Sequence, residues 1–150
     1  MPEDVLASLD IRRALLDEIV QLRHDVLIVG TERLSPEFPG DHDATTRHFG
    51  AFDGQHNVCC ATFLHSTWED TPAWQLRGMA TAPAYRSKGI GGALLAFAEG
   101  VLRDEDGPIR LWCNARIKAA PFYAKHGWQY ASDEFVIDGV GPHFKMTKAL

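Results

Sequence analysis

The spacing of apolar residues changes period several times along the chain, and each change marks an element. Ile11, Leu15, Ile19, Leu22 and Val26 recur every three to four residues, so the spacing predicts a helix capped by Asp10 and closed before Gly30. A short edge strand over residues 5–9 precedes it. Residues 31–46 carry Pro36, Pro39 and Gly40 beside Asp41, His42 and Asp43 and read as loop, with room for a short helix. Residues 48–52 and 57–65 read as a hairpin about an Asp53-Gly54 turn. A connection over 66–72 leads to a third strand, 75–81, which ends before Pro83. Ile90, Ala93, Leu94, Phe97, Ala98, Val101 and Leu102 then form the stripe of a helix with one buried face, stopped by the run Asp104 to Pro108.

The C-terminal part begins with a strand over 109–115. Ile109, Leu111 and Cys113 share one face, and Arg110, Trp112 and Asn114 the other. Residues 119–126 read as a short helix, with Pro121 in its first turn and Gly127 as its C-terminal cap. An interrupted strand over 128–137, a turn at Asp138-Gly139 and a last strand over 143–147 complete the pattern. The expected fold is therefore α+β: a mostly antiparallel central sheet of about six to seven strands with flanking helices, in one domain spanning 1–150.

Composition narrows the function classes. A chain of 150 residues that is 45% hydrophobic can bury a real core. A net charge of −5 argues against general nucleic-acid binding and suits a cationic acceptor such as an amine. No run of about 18 apolar residues predicts a membrane span. The start, Met1-Pro2-Glu3-Asp4, has neither the basic region nor the apolar core of a secretory leader. Cys59 and Cys60, adjacent in a strand, and Cys113 in another, read as buried thiols of a reducing cytoplasm. His42, His48, His56 and His65 show no metal-ligand spacing, so no metal is expected. Trp68, Trp74, Trp112 and Trp128 read as core and rim aromatics.

The chemistry concentrates at Tyr85-Arg86-Ser87-Lys88-Gly89-Ile90-Gly91-Gly92, where a loop becomes a helix. The first amides of a helix have no internal acceptor and carry the positive end of its dipole. Glycines let a bulky anion approach those amides, and Arg86 and Lys88 add charge, so the stretch reads as a phosphate cradle. It is not a Walker loop, because Lys88 precedes Gly89. It is not a dinucleotide fingerprint, because Leu94 stands where the third glycine belongs.

Arg86-Ser87-Lys88-Gly89-Ile90-Gly91 does resemble the pyrophosphate loop of the GNAT superfamily of N-acetyltransferases, Gln/Arg-x-x-Gly-x-Gly/Ala. The lead-in Met79-Ala80-Thr81-Ala82-Pro83 is similar to that family's Leu-Ala-Val-x-Pro. A second stretch, Asn114 followed by Pro121-Phe122-Tyr123-Ala124-Lys125-His126-Gly127-Trp128, resembles its second signature, and the two together cover roughly residues 76–130. The resemblance implies acetyl-CoA as cosubstrate, with its pyrophosphate on the amides of Ser87, Lys88, Gly89, Ile90, Gly91 and Gly92 and on Arg86. It implies a bulged strand edge at Met79, Ala80 and Thr81 for the pantetheine arm, with an oxyanion donor for the thioester carbonyl, and Asn114 bonding the arm from the other side. Tyr123 would protonate the departing thiolate, since a phenol (pKa near ~10) and a thiol (near ~8.5) are matched closely enough for the transfer. Residues 31–46 fall where the family shapes its acceptor site.

The implied acceptor is a primary amine of a small molecule, peptide or protein. Deprotonating a lysine-like ammonium at pH 7 costs about 4–5 kcal/mol, so a base is needed. Some family members carry a glutamate on the strand before the loop; here Gln75 and Arg77 stand there and cannot serve. His65, Glu69, Asp70 and His143 are the candidates, His143 first because a histidine can be neutral at pH 7. The competing reading is a non-catalytic acyl-CoA-binding sensor or regulatory module, which needs the loop but not Tyr123. The acceptor and the assembly stay open; a homodimer is compatible with the sequence.

Overall fold

A computed structural model describes residues 5–150, so the Met1–Asp4 stretch read for a leader lies outside the described residues. The strands are β1 (Asp10–Ala14), β2 (Arg47–Asp53), β3 (His56–Trp68), β4 (Thr71–Thr81), β5 (Arg110–Arg116), β6 (Gln129–Tyr130), β7 (Phe135–Ile137) and β8 (Gly141–Ala149). The helices are α1 (Leu16–Arg23), which continues as a π-helical turn over His24–Ile28, α2 (Ile90–Asp106) and α3 (Ala120–Lys125). All eight strands join one sheet in the order β1-β2-β3-β4-β5-β8-β6, with β7 also on β8. The expected α+β architecture is present. The sheet exceeds the expected six to seven strands because the interrupted strand separates into β6 and β7, both of which pair with β8.

The N-terminal expectation is corrected. Residues Val5–Ser8 form a single 3-10 turn, and the edge strand is Asp10–Ala14, paired with β2. Asp10 caps nothing. Helix α1 starts at Leu16, where the Glu18 carboxylate accepts the Leu15 amide at 2.8 Å. Leu15, counted in the apolar stripe, is 68% exposed. The stripe that packs is Ile19 and Leu22, against Cys60 and Ala80 on one face of the sheet. The predicted connection over 66–72 is also shorter than expected. Strands β3 and β4 run on to a two-residue turn, Glu69-Asp70, with φ of 49° and 65°. Two left-handed residues in a tight hairpin match the twist of the strands, and a Glu-Asp pair does not advertise that turn.

The other face carries α2 and α3 over the main core, where Phe49, Phe63, Trp74, Leu94, Leu95, Leu111 and Met146 are fully buried. All strand pairs are antiparallel except β4–β5, which is parallel and brief, running from Ala73↔Arg110 to Leu76↔Cys113. Beyond Leu76 and Cys113 the two strands pair no further and splay apart.

A bulge in β4 accompanies the splay. Ala80 pairs with Cys60 and Arg77 with Thr62, so Gly78 and Met79 together oppose Ala61. Gly78 takes the left-handed conformation, φ 62°. The extra residue shifts the alternation by one. Trp74, Leu76 and Met79 face the main core, while Ala80 faces α1. A Cβ on Gly78 would lie 2.6 Å from Nε of Arg23, so glycine is required there on both counts.

Arg23 itself is fully buried. Its guanidinium donates to Asp41 Oδ2 at 2.6 Å, to Thr62 Oγ1 at 2.7 Å and to the Pro36 carbonyl at 2.9 Å, and it stacks on Phe38. His48 joins from β2, with Nδ1 at 2.8 Å from Thr62 Oγ1 and Nε2 at 2.9 Å from the Asp41 carbonyl. Such a buried pair adds little net stability, but it fixes one arrangement. Here it clamps the loop between α1 and β2 onto the bulge.

Candidate active site

Two cavities open at the splay. The first, about 810 Å³, lies over the start of α2. Gly89 is the N-cap in the left-handed region, φ 80°, and Ser87 precedes it at φ 62°. The first backbone bond of the helix is Ala93 to Gly89, so the amides of Ile90, Gly91 and Gly92 have no acceptor among the described residues and remain free for an anion. A Cβ on Gly91 would press on the Phe122 ring at 3.3 Å, and one on Gly92 would overlap His126 Nε2. The bare faces of these glycines are what α3 packs against.

Of the residues expected to hold the cosubstrate, Met79, Ala80, Thr81, Arg86, Ser87, Gly89, Ile90, Gly91, Gly92 and Tyr123 all line this cavity. Arg86 is exposed and makes one bond, from Nε to the Thr81 carbonyl at 3.3 Å, so its guanidinium can turn to a ligand. Lys88 is exposed and lines neither cavity. The residues fit the donor that the sequence implies: free amides for a pyrophosphate, and an unpaired β4 edge past Leu76 for an extended amide-bearing arm.

The second cavity, about 500 Å³, lies on the opposite side of the splay, under the 31–46 loop. That loop supplies Arg33, Glu37 and Phe38; β4 supplies Gln75 and Arg77; β5 supplies Asn114 and Arg116; β8 supplies His143. Asn114 stands one residue past the last β4–β5 pair and faces this second cavity, and its Oδ1 is buried without a partner. A buried amide oxygen left bare is a strong acceptor awaiting a donor.

Tyr123 belongs to both cavities. It is placed by the end of α3, a Schellman cap. The Trp128 amide bonds the Tyr123 carbonyl at 3.0 Å, and the Gly127 amide bonds the Ala124 carbonyl at 3.2 Å, with Gly127 at φ 90°. The apolar contact that accompanies this cap is Trp128 against the Tyr123 ring, with centroids 5.4 Å apart. The ring is thus held from two directions, whereas its hydroxyl makes no hydrogen bond among the described residues. Burial, with the Cys113 and Cys59 thiols adding to it, holds the phenol well above its ordinary value, so it stays protonated. Phe122 is the shallower of the two. It packs on Gly91 and the rim of the first cavity, while Tyr123 is 7% exposed.

Of the four base candidates only His143 lines a cavity. It is buried, and its Nδ1–H donates to the Gly141 carbonyl at 2.7 Å, which leaves Nε2 with a lone pair. Burial, reinforced by Arg116 and Arg33, lowers its pKa below the usual 6.5, so the imidazole is neutral at pH 7. His65 instead stacks on Trp74, and Glu69 and Asp70 form the remote β3–β4 turn. Trp68 and Trp74 line neither cavity. The three cysteines are buried thiols, with Cys59 raised by burial to about 11 and Cys60 and Cys113 to about 12.

Sequence reasoning missed Arg33, Glu37 and Arg116 as site residues and took Arg77 only as a residue unable to act as base. Arg116 had a legible signal, two positions past Asn114 on the same strand face. The loop residues had none.

Comparison with known proteins agrees with this geometry. The model of the acetyltransferase (GNAT) domain matches residues 44–130. An uncharacterized N-acetyltransferase of Bacillus subtilis (strain 168), YitI, is 31% identical over 95% of this chain and 97% of its own length. In fold, the chain is similar to Escherichia coli ElaA, with a TM-score of 0.80 at 17% identity over 93% of this chain and 99% of that one. It is also similar to an aminoglycoside 6′-N-acetyltransferase solved with coenzyme A, with a TM-score of 0.70 at 14% identity over 93% and 96% of the two chains. An amide-lined cavity at a helix start and a second cavity across a splayed strand pair are thus found in a chain that belongs to the GNAT acetyltransferase family, whose chemistry is acyl transfer from an acyl-CoA to an acceptor.

Proposed function

We propose that the protein, acting as one catalytic domain over residues 1–150, transfers an acetyl group from acetyl-CoA to a primary amine. The observation that carries this reading is the meeting of the two cavities at Tyr123 and Met79, which line both. A donor laid along the β4 edge, with its pyrophosphate on the α2 amides, brings its thioester to that junction. An acceptor in the second cavity reaches the same point. That the aminoglycoside enzyme of similar fold was solved with coenzyme A supports the choice of donor.

The ammonium of the acceptor gives its proton to Nε2 of His143. The free amine then attacks the thioester carbonyl carbon. The oxygen, now an anion, takes a hydrogen bond from a backbone amide at the Gly78–Met79 bulge, which is fixed in advance by the β3 pairing on either side. The carbon–sulfur bond breaks as the carbonyl re-forms, and the thiolate takes the hydroxyl proton of Tyr123. The nitrogen gives up its second proton to solvent as the amide forms, and the proton held by His143 returns to the phenolate through solvent, so protons and charges balance over the cycle. The buried phenol enters each turnover protonated.

The sensor reading needs only the first cavity, and the second cavity favours the enzyme. Incubating the protein with acetyl-CoA and a panel of primary amines tests the choice. Thiol release that depends on the amine is expected. CoA binding without amine-dependent release would overturn the transferase reading in favour of the sensor. The buried, unpaired thiols support action in a reducing compartment such as the cytoplasm.

A further inference from the structure

The lining of the second cavity has a charge opposite to that of the chain. The protein carries −5 overall, yet Arg33, Arg77 and Arg116 all face this cavity, with Glu37 as the one carboxylate among its lining residues. Glu37 is occupied with His42, which it contacts at hydrogen-bond distance. Among the described residues none of the three arginines has a carboxylate partner. Arg116 donates to the Leu27 carbonyl at 2.7 Å, Arg77 only weakly to the Pro39 carbonyl at 3.4 Å, and Arg33 lies against the Phe38 ring. Elsewhere Arg12 pairs with Glu18, Arg23 with Asp41 and Arg47 with Glu105, while Arg86, Arg103 and Arg110, which also lack a carboxylate partner among the described residues, stand apart from this cavity.

Three unneutralised guanidinium groups around one half-buried space repel each other. Arg77 and Arg116 are both held below the ordinary arginine value, first by burial and then by Arg33. They remain charged, since a guanidinium does not lose its proton in a protein. Such a cluster is costly unless something negative enters it. The cosubstrate is not that partner for the whole cluster. Arg33 and Arg77 do not line the α2 cavity, where the phosphates belong, and Arg116 alone touches both.

Building on the acetyl-transfer reading, we propose that the acceptor is an anionic amine: a molecule whose primary amino group is accompanied, a few bonds away, by a carboxylate or phosphate held by Arg33, Arg77 and Arg116. With the anion fixed there, the amino group is left to face Nε2 of His143 and the bare Oδ1 of Asn114, two acceptors among the cavity's lining residues. A polyamine or other multiply cationic acceptor meets three like charges instead. The overall acidity of the chain, which by itself suits a cation, does not extend into this cavity.

The test compares acceptors of matched length at low ionic strength: 4-aminobutanoate and phosphoethanolamine as anionic amines, butylamine as neutral in its remainder, and 1,4-diaminobutane as dicationic. The expected kcat/KM for an anionic amine exceeds that for 1,4-diaminobutane by about tenfold or more, and Arg77→Glu together with Arg33→Glu reverses the order. Which anionic amine leads distinguishes a carboxylate from a phosphate source. Calorimetric titration of the CoA-saturated protein with 4-aminobutanoate and 1,4-diaminobutane reads the same preference without turnover. Equal or better binding and turnover of the dicationic amine would overturn the proposal. Selective binding of an anionic amine with no acetyl transfer to any amine would leave the anion site standing and overturn the transferase reading instead.

Discussion

The two cavities that meet at Tyr123 are built in opposite ways. The α2 cavity is lined mostly by two short runs, 79–92 and 116–126, together with Val26 and Leu27. Its binding groups are amides, freed by a helix start and exposed by glycines. The opposite cavity is made of side chains brought together from α1, the 31–46 loop, β4, β5, α3 and β8. A phosphate cradle of backbone amides is a local property, and any chain that turns from loop to helix with these glycines has it. An acceptor pocket of arginines, a histidine and an amide exists only after the sheet has formed. The first can be shared by proteins with different acceptors. The second is where one protein differs from another.

The comparison can be broken from either side. The largest effect is expected from Gly91→Glu, which fills the cradle with bulk and negative charge and displaces Phe122; CoA binding should vanish. Gly91→Ala separates the causes, since it adds only the methyl group that meets Phe122 and should keep part of the affinity. Unchanged CoA affinity in a folded Gly91→Glu protein, measured by calorimetry, would show that the phosphates lie elsewhere.

On the opposite side, His143→Gln should lower kcat by roughly 10²–10⁴ while CoA affinity stays near that of the parent. The pH profile carries the same claim. Because burial lowers the His143 pKa, the acid limb of kcat/KM should fall below pH 6.5. Stability follows the same sign. A histidine whose folded pKa is depressed stabilises fully above its unfolded value, and that contribution is lost as pH falls through the folded one. His48, also lowered by burial, acts in the same direction. An acid limb above 6.5 would point to a different base.

The smallest effect belongs to the exposed rim of the α2 cavity. Arg86→Ala should weaken CoA by about tenfold, the contribution of one charge-assisted hydrogen bond. The loss should shrink as salt is raised, because Arg86 is exposed. A loss independent of salt would mean that Arg86 acts by holding the Thr81 carbonyl rather than by charge.

This contrast also explains what was legible in the sequence. The α2 stripe, the glycine loop and the Gly127 cap are short-range signals, and the elements they predict are present. The resemblance placed the bulge at Met79, Ala80 and Thr81, and the structure has it one residue earlier, at Gly78 and Met79, because Gly78 is the residue in the left-handed region and the one where a Cβ would meet Arg23, 55 positions earlier in the chain. The N-terminal helix was started too early because Leu15 fits the stripe while pointing to solvent. The clamp of Arg23, Asp41, Thr62 and His48 draws on α1, the loop, β3 and β2. No local pattern distinguishes these residues from solvated polar ones. Of the arginines of the acceptor cavity only Arg116 had a local signal; Arg33 was illegible for the same reason, and total charge pointed the wrong way for all three.

The central claim is that the cavities meet at a phenol that protonates the departing sulfur. The most direct test is kcat of Tyr123→Phe at saturating acetyl-CoA and amine, with the CoA dissociation constant measured alongside. The substitution keeps the ring against Trp128 and removes only the hydroxyl, which has no partner among the described residues to lose. The account predicts a fall in kcat of roughly 10²–10⁴ with CoA affinity nearly unchanged. Full turnover in the variant, under conditions where single-turnover kinetics show that chemistry limits the rate, would contradict it.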